Sequence, residues 1–149
     1  MKQKAKSIYL IILIFVAGCA LKTVQYPNIK ITDRYHSLKE KQLIEDFSEY
    51  WHARISGDMK KAFSYELPYQ RYIDGWKVYR ETVTPLRKDA FIELKKIEPI
   101  SENVVIVYKV VRIKDRNLLQ KEKWIYLDGR WYHKYHQNIM PDFSGKSEF

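Results

Sequence analysis

Cysteine occurs once in these 149 residues, at Cys19, so no internal disulfide can form and the body of the chain must fold by packing alone. Glycine and proline are scarce, at five each, which leaves no low-complexity region, and no internal repeat is present. Long apolar runs are missing too. The longest, Ser7 to Gly18 ("SIYLIILIFVAG"), has 12 residues, whereas a bilayer-spanning helix needs about 20. There is no GxSxG, no HExxH and no phosphate-cradling glycine loop, so hydrolase, zinc-protease and nucleotide chemistry have no motif to stand on. No nucleic-acid-binding motif appears either.

What is present begins at the N-terminus. A basic stretch, Met1 to Lys6, precedes the short apolar run, which is the pattern of an export signal. The residues that close the run, Val16-Ala17-Gly18-Cys19, resemble the bacterial lipobox: a branched apolar residue, two small residues, then Cys. That resemblance implies diacylglycerol transfer to the Cys19 thiol and cleavage before it, so residues 1–18 are a signal peptide and the mature chain is membrane-anchored. Two or three acyl chains, each worth about 0.8 kcal/mol per buried CH₂, hold stably. Ala20 rather than Asp follows Cys19, which in enterobacteria-like sorting implies the outer membrane, facing the periplasm. Ordinary cleavage after Ala20, or an uncleaved leader, are the alternatives.

The net charge of +9 falls to +6 once Lys2, Lys4 and Lys6 leave with the signal, and the remaining cations are spread along the chain. A surplus of this size favours anionic neighbours such as lipid headgroups or cell-wall polymers. An exported address argues against nucleic acid.

Residues 19–35 lack helical periodicity and read as a tether behind the lipidated Cys. A folded domain is expected over 36–140, and 141–149 is a polar tail. Ser37-Leu38-Lys39-Glu40 is a capping box. Leu38, Leu43, Ile44, Phe47, Tyr50, Trp51 and Ile55 follow as one apolar stripe of a helix that Gly57 ends. Asp58 can cap a second helix, Met59 to Tyr65, which Pro68 is expected to stop. The stretch after it, Tyr69 to Val83, fits a helix or a short strand. From Asp89 the pattern changes to β-branched and aromatic runs separated by turn residues, including Asp128-Gly129. Helices first and antiparallel strands after make an α+β architecture.

The opening "EYWHARISGDMKKAFSY", followed by Pro68, resembles the NTF2-like superfamily, and "KWIYLDGRWYHKY" is similar to that family's final hairpin. The resemblance covers about Ser37 to His136. It implies N-terminal helices packed on a strongly curved antiparallel sheet, a cone that can hold a pocket, and a domain that often dimerises through its sheet. A two-residue turn at Asp128-Gly129 pairs Tyr126 with Trp131 and Trp124 with His133, placing Trp124, Tyr126, Trp131, His133 and Tyr135 on one face. With Tyr50 and Trp51 these are the candidate pocket-lining residues. The same rings could simply fill the space under the helices.

His133 and His136 are three apart on a strand and face opposite ways, so no metal site is expected and no cofactor is implied. His52 reads as a flank residue of the first helix. Ketosteroid isomerase-like and dehydratase-like members of the superfamily carry acid-base groups in the cone, but Asp58 reads as a cap, and nothing singles out Asp74, Glu93 or Glu122 as catalytic. The expected function is therefore a non-enzymatic binding or assembly module on the envelope, partnered by an envelope protein or a small apolar ligand. A small lyase or isomerase and an accessory subunit that pairs through its sheet are the alternatives. A cone filled by Trp124, Trp131 and Tyr126 would argue against the enzyme; a largely apolar outer sheet face would argue for the pairing subunit.

Overall fold

Helix α1, Leu38–Ser56, begins where the sequence signal places it. The Ser37 side chain accepts from the Glu40 N–H at 3.1 Å, while the Glu40 carboxylate takes the N–H of His36 rather than that of Ser37. The capping box thus closes one residue early. These coordinates are a computed structural model that describes residues 25–135. The segment expected to be a signal peptide, Cys19, His136 and the expected tail 141–149 lie outside the described residues.

The face of α1 bearing Leu43, Ile44, Phe47, Tyr50, Trp51 and Ile55 is buried. Leu38 is not. It is the first residue of the helix and stands 85% exposed. Gly57, at φ 85°, closes α1 in the left-handed conformation that L side chains avoid. Asp58 then caps α2, Met59–Ser64, by accepting from the Lys61 N–H at 3.0 Å.

Pro68 does not merely stop α2; it is the first residue of α3, Pro68–Thr82. A proline at that position loses no intrahelical hydrogen bond and arrives with a helical φ. The stretch open to either reading is therefore helical, with one break at Gly75 (φ 67°, ψ 172°).

Five strands follow one another in space in the order β1-β2-β3-β4-β5: Ile29–Ile31, Phe91–Ser101, Val104–Ile113, Arg116–Leu127 and Arg130–His133. The last four are antiparallel neighbours, as expected. The first is not: β1 pairs parallel with β2, Ile29 opposite Ile92 and Ile31 opposite Leu94, so the sheet is mixed. The segment read as a tether thus supplies an edge strand, braced by Tyr26, which stacks on His52 at 3.9 Å and donates to Glu49. Register shifts at Leu94/Lys96 and Pro99/Ser101 mark bulges in β2, which bend a strand and raise its twist. The sheet curls into a half-barrel, compatible with a cone; α1 packs against it, α2 against α1, and α3 against α2.

The final hairpin has the expected register, Tyr126 opposite Trp131 and Trp124 opposite His133. Both turn residues have positive φ, Asp128 at 49° and Gly129 at 81°, as a two-residue turn of the type suited to strand twist requires. A Cβ on Gly129 would meet nothing within 4 Å, so only backbone strain opposes a side chain there. Gly129→Ala is expected to lower stability by about 1–2 kcal/mol, measured as a shift in urea midpoint with an unchanged slope.

Candidate functional site

Inside the curl, five elements bring polar side chains to one place. On β3, Val105, Val107 and Val111 point inward, and Lys109 sits among them on the same face. On β4, Glu122 and Trp124 are two apart and share the inner face. The register sets Glu122 opposite Val107, diagonal to Lys109, and Trp124 directly opposite His133 of β5. Glu66 arrives from the link between α2 and α3, which a single bridge holds against the strand: Tyr65 accepts from the His133 N–H at 2.7 Å, and the Leu67 N–H donates to the His133 carbonyl at 3.0 Å. From above, α1 contributes Tyr50, Trp51 and Arg54.

These groups form a continuous relay. Arg54 Nη1 donates to the Tyr50 hydroxyl (2.9 Å), which donates to Glu66 Oε1 (2.9 Å). Glu66 Oε2 lies 2.8 Å from His133 Nδ1, and the other ring nitrogen, Nε2, lies 3.5 Å from Glu122 Oε2. That same Oε2 accepts from Lys109 Nζ, and Glu122 Oε1 accepts from the indole N–H groups of Trp51 (3.1 Å) and Trp124 (2.8 Å). Glu66, Glu122, Lys109 and His133 are all buried. Their charges alternate along the chain of contacts.

The electrostatics follow from that alternation. Burial alone would lower the His133 pKa, but the charge of Glu66 and hydrogen bonds to Glu122 and Glu66 overcome it, raising the pKa to about 9. Burial alone would raise Glu122; the Lys109 ammonium and His133 instead hold it far below the usual carboxylate range. The Lys109 pKa is lowered, chiefly by burial, with Glu122 acting against the shift. Burial and then the Glu66 charge push Tyr50 well up, so its hydroxyl remains a donor. Both oxygens of each interior carboxylate therefore have partners. The arrangement ties α1, the α2–α3 link, β3, β4 and β5 together.

Of the residues expected at a pocket, Tyr50, Trp51, Trp124 and His133 meet in this cluster. Tyr50 and Trp124 are fully buried, and their rings meet edge to face at 5.7 Å. Trp131 is 1% exposed and Tyr126 half-buried; they pack on each other further along the hairpin, where Lys39 lies over the Tyr126 ring and its carbonyl accepts from the Trp131 indole. Asp74 accepts from the Tyr135 hydroxyl at 2.6 Å. Glu93 lies on the outer face, under Lys30, Lys95 and Arg112. Sequence reasoning did not single out Glu66, Lys109 or Arg54. The signal for Lys109 was present: a lone cation in an otherwise valine-lined alternation, two residues from Val107 and two from Val111. Glu66, between Tyr65 and Leu67 in a link of irregular structure, carried none.

An opening lies elsewhere. A cleft of about 1040 Å³ runs between β1 and α1, walled by Tyr26, Pro27, Ile29, Ile31, Ile44 and Phe91, with Lys30, Asp33 and Arg34 supplying charge. Its walls are the edge strand and the helix, not the aromatic hairpin. Comparison with known protein families, with curated proteins and with solved structures finds no match to this chain. The architecture itself defines the class: an α+β half-barrel whose helices precede four of its five strands.

Proposed function

We propose that this chain is an envelope lipoprotein, anchored through lipidated Cys19, whose NTF2-like domain binds rather than catalyses. The observation that carries the second half is where the space lies. The interior is filled by Trp124 and Trp131, and its carboxylates are buried and paired, while an open and largely apolar cleft lies outside against β1. A site of this size, with apolar walls and a few charges, suits an apolar or amphipathic small ligand or an extended apolar segment of an envelope protein. The outer face of the sheet carries ion pairs, Lys96 with Glu98 and Glu93 with three cations, which favours this reading over pairing through the sheet. The anchor itself rests on the "VAGC" resemblance.

The intact protein, extracted gently from its own membranes and weighed under native conditions, is expected to have the mass of Cys19 to Phe149 plus acyl groups. A ligand of the cleft would appear as an additional adduct. The mass of the full unmodified chain would overturn the anchor.

One observation favours the second reading, a small lyase or isomerase: Tyr50, Glu66, His133 and Glu122 are hydrogen-bonded in series, as acid-base groups in a cone would be. That reading requires substrate to reach Glu66, which is 0% exposed.

A further inference from the structure

The sheet register fixes which end of the domain faces the anchor. The described chain enters β1 at Ile29, which pairs with Ile92; Ile92 pairs with Val111, and Val111 with Leu118. The first residues after the tether and the β3–β4 turn therefore lie at the same end of the sheet, three strand spacings or roughly 15 Å apart. From Cys19 to Gln25 the chain spans six residues, about 20 Å at full extension. Whatever holds Cys19 is within reach of this end.

What this end presents is unusual for a water-facing turn. Leu118 is 46% and Leu119 69% exposed, on opposite faces of the strand that leaves the turn. Around them stand Lys114 and Arg116, with Lys88 on the neighbouring loop, all exposed. The Asn28 side-chain amide donates to the Lys88 carbonyl at 3.0 Å, which ties that loop to the residue preceding β1. Two of the carboxylates here are already engaged, Asp89 by a two-point contact with Arg87 and Glu93 by Arg112. Asp115, in the turn itself, is the third. Two exposed leucines flanked by cations fit an interface of anionic headgroups over acyl chains.

We propose that this end of the sheet, with Leu118 and Leu119 at its centre and Lys88, Lys114 and Arg116 around them, rests on an anionic lipid surface. The inference builds on the lipid anchor at Cys19: the domain lies against the membrane in one orientation instead of swinging on its tether. A rival patch exists on α3, where Tyr69, Tyr72 and Ile73 are 73%, 88% and 58% exposed. That helix is moored through Leu67 to His133, whose partner Trp124 is six residues along β4 from Leu118, roughly 20 Å along the strand axis from the row of residues at which the tether enters.

The two patches are distinguished with one probe. An acylated Cys19 has no free thiol, so Leu119→Cys and Tyr72→Cys each give the full chain a single labelling site for an environment-sensitive fluorophore. In vesicles of phosphatidylglycerol and phosphatidylethanolamine, the label at position 119 is expected to shift to the blue and to be quenched by a lipid-borne quencher. The label at 72 is expected to stay as in water. Reversing the charges, Lys114→Glu with Arg116→Glu, is expected to reduce the bound fraction of the position-119 signal about tenfold; phosphatidylcholine vesicles should do the same. A water-like signal at 119 in anionic vesicles, or a shift at 72 instead, overturns the proposal. Two labels per chain by mass would show Cys19 unacylated and count against the anchor, a separate result from the position-119 signal.

Discussion

Replacing Glu122 with glutamine is expected to lower stability by about 3–5 kcal/mol, the usual cost of removing one partner from a buried ion pair. The substitution keeps the shape, and the amide oxygen can still accept from the Trp51 and Trp124 indoles. What it removes is the charge. Lys109, 3% exposed, and His133, 7% exposed, then face each other across a neutral group in a low-dielectric interior. A typical domain has only 5–15 kcal/mol in all, so the variant should show a large fall in its denaturant midpoint. The test has an internal control. Lys109→Met combined with Glu122→Gln removes both charges and retains the acceptor for the two indoles, and is expected to recover most of the loss. If the double variant is as unstable as the single one, the loss comes from altered packing and not from an unpaired charge.

Alkaline pH should weaken the fold through His133. The folded protein holds this proton more tightly than the unfolded chain does, with a pKa of about 9 against an ordinary value of 6.5. The resulting stabilisation is fully present below about pH 6.5 and is lost as pH rises through about 9. At 1.36 kcal/mol per pH unit it amounts to something on the order of 3 kcal/mol. Urea midpoints measured from pH 6 to pH 10 should fall across that window. His133→Asn should be less stable at pH 6 but should flatten the slope, because the titrating group is gone. A wild-type midpoint that does not change between about pH 6.5 and 9 would show that His133 is neutral in the folded protein.

Legibility in the sequence tracked locality. The Asp128-Gly129 turn specified the pairing of Trp124 with His133 because turn chemistry and the two-residue side-chain period act within ten residues. The α1 stripe was legible for the same reason, except at Leu38, the first residue of the helix, which stands exposed. Pro68 was legible as a boundary but not as a beginning, since a proline ends one helix and starts the next by the same missing N–H. β1 escaped notice because three residues behind Pro27 and Asn28 have no periodicity to show, and their partner lies some sixty residues away on β2. The interior relay was the least legible. Its members come from α1, the α2–α3 link, β3, β4 and β5, and although Glu122 and His133 share the final hairpin, nothing local to that hairpin shows that Lys109 and Glu66 complete the pairing.

The parallel pairing of β1 with β2 has a mechanical consequence. Once the turn ahead of β1, closed by the Ile29 N–H donating to the Tyr26 carbonyl at 3.0 Å, has opened, a pull on the N-terminal segment reaches β1 along its axis. Its hydrogen bonds to β2 are then loaded together in shear, where a hairpin strand pulled from its turn would open them one at a time. Tyr26, held by His52 and Glu49 of α1, transfers part of that load to the longest helix before it reaches the sheet. A three-residue strand is a weak element by length, but in this orientation it acts as a strain relief between the chain ahead of it and the core.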